Sequence, residues 1–158
     1  MSEQLHGDVF HPQVSDSHVS TIERYEELYR QSMDDGDAFW GATAREMLSW
    51  KHDFHQVSDT DFAQGMIAWF LGGKLNACYN CVDRHVAERG DQVAIIWEAD
   101  EPGEGREITY RELQREVSRL ANVLRHNDIR RGDRVAIYMP MIPEAAFAML
   151  ACARIGAV

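Results

Sequence analysis

The first repeating pattern in the chain begins at Ile22, after which Tyr25, Leu28, Tyr29 and Met33 fall on one helical face. Ser20 with Glu23 matches a capping box ahead of that helix, and Gly36 is its expected end. Asp37 is placed to cap a second helix carrying Phe39, Trp40, Ala44 and Met47, so the opening reads as two short amphipathic helices joined by Asp34-Asp35-Gly36. Such a pair needs something larger to pack on. From Lys51 to Lys74 the pattern turns irregular and aromatic, with Phe54, Phe62, Trp69 and Phe70 separated by polar residues and Gly72-Gly73 ending the run. An extended strap is expected there, with a short strand around Met66 to Phe70. Asn76 then caps a helix whose stripe is Cys78, Cys81, Val82, His85 and Val86, and Gly90 stops it.

Beyond Gly90 the period changes. Val93-Ala94-Ile95-Ile96-Trp97 reads as a strand, Asp100 to Gly105 as a polar turn and Glu107-Ile108 as a short strand. Thr109 and Glu112 form a second capping box for a helix with Leu113, Val117, Leu120, Ala121 and Leu124 on its apolar face. The turn Arg131-Gly132-Asp133 leads to a strand over Arg134 to Met139. Pro143 opens an almost wholly apolar helix that reaches about Ile155 and stops at Gly156. A parallel strand wants a neighbour on each edge, and a helix apolar all round wants cover on several sides. The pattern therefore predicts an α/β fold whose large domain only starts within these 158 residues, with a second parallel strand beginning at Ala157-Val158. The expected organisation is a flexible tail over 1–19, a helical and strap-like segment over 20–90, and an incomplete α/β unit over 91–158.

A hydrophobic content of 45% with 27% charged residues supports a packed core. The formal net charge of −10, with no run of Lys and Arg beyond the pair Arg130-Arg131, argues against a nucleic-acid partner. The longest apolar stretch, Ala145 to Ala153, is about half of what a membrane crossing needs. The N-terminus MSEQLHGDVF lacks the basic start and apolar run of a secretory signal, which makes the cytoplasm the expected compartment. Cys78, Cys81 and Cys152 then read as reduced thiols.

Three patterns invite a chemical reading, and each has a plainer one. Cys78 and Cys81 have CxxC spacing with His85 one turn on, but a structural zinc site needs four ligands and no second ligand pair exists, so core packing is expected. His6, His11 and His18 in the tail share no ligand spacing. The strand-turn-helix at Val135 to Ile155 has the order of a nucleotide-binding unit, yet its connection Met139-Pro140-Met141-Ile142-Pro143 lacks the glycines that let backbone N–H groups reach phosphate. Asp34, Asp35 and Asp37, and Glu98, Asp100 and Glu101, sit in or beside turns, where solvation rather than acid–base work is expected.

From Tyr25 onward the chain also resembles a known family. The residues that carry the resemblance are Tyr25-x-x-x-Tyr29-x-x-Ser32 with Phe39-Trp40-Gly41, Trp69-Phe70-x-Gly72-Gly73-Lys74-Leu75-Asn76, and Asn80-Cys81-x-Asp83-Arg84-His85. They continue through Ala94 to Glu98, Ile108-Thr109-Tyr110-Arg111-Glu112-Leu113, and the block from Val135 to Val158. Together they resemble the N-terminal portion of the acetyl-CoA synthetase family, within the adenylate-forming superfamily. The Thr109-Tyr110-x-Glu112-Leu113 element is similar to one found across that superfamily; the strap and the last block resemble its short-chain acyl-CoA branch. The resemblance implies a two-step ligase reaction in which acetate and ATP, with Mg, give acetyl-adenylate and pyrophosphate, and CoA then displaces AMP. It also implies that 91–158 begins the AMP-binding domain, that the remainder of the same chain packs on this segment, and that the catalytic motifs lie after Val158. No catalytic, cofactor-binding or metal residue is accordingly assigned to this chain. A propionyl- or acetoacetyl-CoA synthetase and a non-catalytic acidic interaction module are the alternatives.

Overall fold

The computed structural model describes residues 19–158, so the expected tail and its three histidines lie outside the described residues, Val19 excepted. The chain divides into two compact units, 1–46 and 47–158.

The first unit is a helical pair, α1 (Ile22–Asp34) and α2 (starting at Gly36 and ending at Met47). Both caps differ from the expected ones. Thr21, not Ser20, caps α1, accepting from the Arg24 N–H at 3.1 Å. Asp35 accepts from the Ala38 N–H at 3.0 Å and so caps α2 in place of Asp37. In each case the hydroxyl or carboxylate that wins stands three residues before the N–H it satisfies. The expected stripe of α1 is present but not covered: Ile22, Tyr25, Tyr29 and Met33 are all exposed.

The second unit begins with the strap. Its aromatic residues cluster, with the Trp50, Phe54 and Phe70 ring centroids 4.9–5.6 Å apart and Phe54 buried. The strap also holds a hairpin, because β1 (Gln56–Asp61) pairs antiparallel with β2 (Met66–Leu71), Ser58 opposite Trp69. The strand expected near Met66 is there; its partner was not foreseen, since Gln-Val-Ser-Asp-Thr-Asp shows no apolar alternation. At its far end Phe70 takes a φ of +53°, a conformation costing roughly 1–3 kcal/mol that the Trp50 and Phe54 rings help to hold. Gly73 follows where a Cβ would come within 2.6 Å of the Trp50 ring.

Next comes the helix that Asn76 caps through its Oδ1, 3.0 Å from the Tyr79 N–H. It is not a plain α-helix. Tyr79–Asp83 forms a π-helical turn that runs into α3 (Arg84–Arg89). Widening the hydrogen bond from i→i+4 to i→i+5 swings the residue three positions on further off the face. Cys78 and Val82 are fully buried as expected, but Cys81 is exposed.

An antiparallel hairpin follows, β3 (Val93–Trp97) with β4 (Arg106–Thr109), and then α4 (Tyr110–His126). The capping box is complete: the Glu112 N–H donates to Thr109 Oγ1 at 3.2 Å and the Thr109 N–H to Glu112 Oε2 at 3.0 Å. α5 (Pro143–Ile155) has Pro143 in its first turn and ends at Gly156, whose φ of +78° suits a residue without Cβ. The core joins Cys78 and Val82 to Ile108, Leu113, Val117 and Ala121, and to Phe147 and Ala151 of α5.

Arg134 to Met139 forms no ladder of its own, which corrects the expected strand. Val158 donates to the Asp133 carbonyl at 2.7 Å and Val135 donates to the Val158 carbonyl at 2.8 Å, the two bonds of a single parallel bridge. One residue of neighbour gives one bridge; a strand needs several.

Burial ranks two substitutions. Val82→Ala should cost about 1–3 kcal/mol, whereas Cys81→Ser should stay within about 0.5 kcal/mol, both read from urea unfolding midpoints.

Candidate functional site

Asp83 and Arg154 are the charged groups that the second unit folds around. Arg154 stands in the last turn of an otherwise apolar α5, and Asp83 closes the π-helical turn. The Arg154 Nη2 lies 2.9 Å and 2.8 Å from the two carboxylate oxygens of Asp83, and their side chains are 26% and 16% exposed. Gln114 of α4 donates to the same carboxylate at 2.8 Å. The Arg154 Nε is buried without a hydrogen-bond partner among the described residues. Asn76 adds a second link: while its Oδ1 caps one helix, its Nδ2 donates to the Ala153 and Arg154 carbonyls at 3.2 and 3.1 Å. The last carbonyls of α5 are thereby satisfied from across the fold. Asn80 holds the Ser49 backbone from both sides, through Oδ1 at 2.8 Å and Nδ2 at 3.1 Å, and Arg84 donates to the Met47 carbonyl at 2.7 Å.

Each weighed pattern finds a place around this junction. The Cys78 thiol touches the pair, 4.0 Å from Asp83, and burial raises it above its ordinary value, which favours the protonated thiol. Burial likewise raises the Cys152 thiol. His85 does not point toward Cys81 as a co-ligand: its ring lies 5.3 Å from Tyr110, and the Arg89 guanidinium reaches its Nδ1 at 2.9 Å. Desolvation first, then Arg89 and Arg84, hold this imidazole below its ordinary value of 6.5, so it accepts the Arg89 hydrogen bond. Among the described residues no group of three His, Cys, Asp or Glu is arranged to hold a metal ion. The Met139 to Pro143 connection is used structurally, its Met141 carbonyl accepting from the Trp97 indole at 2.8 Å. Asp35 caps a helix, and Glu98, Asp100 and Glu101 lie in or beside the loop before β4.

Sequence reasoning missed the junction. Its signal was one cation inside an apolar helix, where only a partner elsewhere makes burial tolerable.

The description "Acetyl-coenzyme A synthetase N-terminus" matches residues 25–81, and "AMP-binding enzyme" matches residues 82–158. The chain belongs to the acetyl-coenzyme A synthetase family. It is 53% identical over 151 residues to an acetyl-coenzyme A synthetase of Alcanivorax borkumensis, covering 94% of this chain and 23% of that protein. It is 57% identical over 134 residues to acetyl-coenzyme A synthetase 2 of Pseudomonas aeruginosa, covering 85% of this chain and 21% of that one. A solved acetoacetyl-CoA synthetase from Streptomyces lividans superposes with a TM-score of 0.74 at 36% identity, over 85% of this chain and 20% of that one. The chain thus spans about a fifth of the length of these relatives. No helix among the described residues is long and apolar enough to cross a membrane. Seen beside the family, the fingerprint residues Asn76, Asn80, Asp83 and Arg84 all make tertiary hydrogen bonds within this unit.

Removing one partner of the ion pair should leave the other partly buried and unanswered. Asp83→Asn and Arg154→Met should each cost about 2–4 kcal/mol, discounted from the range for a fully buried pair, and the double variant should cost less than the sum. Urea unfolding of all four proteins measures the coupling. His85 gives a pH signature. Because its folded-state value is depressed, its contribution is present above the unfolded value of 6.5 and lost as pH falls below it. Stability should therefore decline from neutral pH toward pH 5, and His85→Gln should flatten that decline in unfolding midpoints measured across the range.

Proposed function

We propose that this chain is the N-terminal part of an AMP-forming acetate–CoA ligase, which converts acetate, ATP and CoA into acetyl-CoA, AMP and pyrophosphate through acetyl-adenylate. One observation carries the reading: two family segments abut at residues 81 and 82, in a chain 53% and 57% identical to relatives named acetyl-coenzyme A synthetase. The acetoacetyl-CoA synthetase from Streptomyces lividans supports the alternative acyl group, but its 36% identity stands below the 53% and 57% of the acetate-named relatives.

In this reading residues 20–90 form the helical and strap-like N-terminal segment and 91–158 begin the AMP-binding domain. Their work is architectural. The π-helical turn, α4 and α5 are locked by the Asp83–Arg154 pair, which fixes the bridge at Arg134 and Val158 from which a parallel sheet would grow. The catalytic motifs belong to sequence beyond Val158, and the compartment that suits such a ligase is the cytoplasm.

Acetate-dependent ATP–pyrophosphate exchange tests the proposal. The protein at its full natural length should show exchange with acetate in preference to propionate or acetoacetate, and the 158-residue chain alone should show none. Exchange that follows acetoacetate better than acetate, or that the short chain performs by itself, would sink it.

A further inference from the structure

The ligase reading leaves unused a cleft of 1220 Å³ between the strap and the end of α5. One wall is an isolated antiparallel bridge in which His52 faces Lys74. The Lys51 and His52 N–H groups both donate to the Lys74 carbonyl, at 2.7 and 3.1 Å, and the Lys74 N–H returns a bond to His52 at 3.0 Å. The bridge therefore brings the backbones of Lys51 and Lys74, the only lysines in the sequence, together, and both residues line the cleft. Arg131 and Arg154 stand on the other wall.

Charge is what sets this cleft apart. Asp83 is its single lining carboxylate, and Arg154 already holds it through two short contacts. Lys51, Lys74 and Arg131 have exposed side chains and form no ion pair among the described residues. The chain has 26 acidic residues against 16 basic ones, so unpaired cations gathered at one place are contrary to its composition. Like charges on neighbouring positions repel, and an anion bound between them would turn that repulsion into attraction. Three unanswered positive charges match a ligand with several negative charges on one small group, which a lone carboxylate lacks and linked phosphates have. Tyr79, half exposed at the cleft, offers a ring face beside it.

We propose that this cleft binds an oligophosphate anion, with Lys51, Lys74 and Arg131 as its phosphate-holding residues. The phosphates come either from an inorganic oligophosphate or from a nucleotide whose base stacks on Tyr79. The inference is independent of the ligase reading, because it uses none of that reaction's groups.

Equilibrium dialysis with inorganic triphosphate at low salt tests it, on the protein at its full natural length and on its Lys51→Gln/Lys74→Gln and Arg131→Gln variants. Wild type should bind a triphosphate that each variant binds about tenfold more weakly or not at all. The thermal melts should coincide, because these side chains are exposed and unpaired. Repeating the titration with ATP, read as the difference between wild type and variants, separates the sources: a larger difference than with triphosphate assigns a nucleotide, an equal one the phosphates alone. Identical triphosphate binding by all three proteins would overturn the proposal. So would a crystal structure of the full-length protein with triphosphate in which the cleft is empty or filled by an acidic segment of the same polypeptide.

Discussion

Arg154 is the constraint on which the second unit depends. An apolar helix gains by burying its length, yet one guanidinium near its end resists leaving water, and an unpaired buried charge would outweigh the burial of several aliphatic groups. The fold answers by bringing Asp83 to the same point with Gln114 beside it. That single requirement sets the position of the π-helical turn against α4 and α5. It also explains why Val82 and Cys78, on either side of the exposed Cys81 and just before the carboxylate in sequence, are the most deeply buried residues of their segment.

The π-helical turn is a consequence of two demands placed on one short helix. Cys78 and Val82 must face the core formed by Ile108, Val117 and Phe147, while Asp83 must reach Arg154 and Asn80 must reach back to Ser49. A regular α-helix would place Cys81 nearer the buried face. Widening one turn releases it to the surface and keeps the four polar reaches of Asn76, Asn80, Asp83 and Arg84. The family motif residues Asn76, Asn80, Asp83 and Arg84 are therefore fastenings of this unit.

Two apolar surfaces remain uncovered in residues 19–158. One is the α1 stripe; the other includes Tyr138, Met139 and Met141 after the bridge at Arg134, together with Met149 of α5. The matched residues make up 21–23% of the length of the relatives named acetyl-coenzyme A synthetase.

Local rules determined much of this structure from sequence alone. The capping box at Thr109, the α4 face of Leu113, Val117 and Ala121, the strand from Val93 to Trp97, Pro143 opening α5 and Gly156 closing it all follow from neighbours within a few residues. Such features need only backbone hydrogen bonding and side-chain period, which a sequence displays directly. Where two local options competed, at Ser20 and Thr21 or Asp35 and Asp37, the one whose oxygen reached a free N–H won, and spacing alone did not separate them. Tertiary structure decided the rest. The polar β1 strand exists because β2 lies beside it; Cys81 is exposed because Asp83, two residues on, is committed to a partner 71 positions away. Pairings between distant charges and strands leave no periodic trace, since their energy resides in a meeting that the folded chain alone brings about.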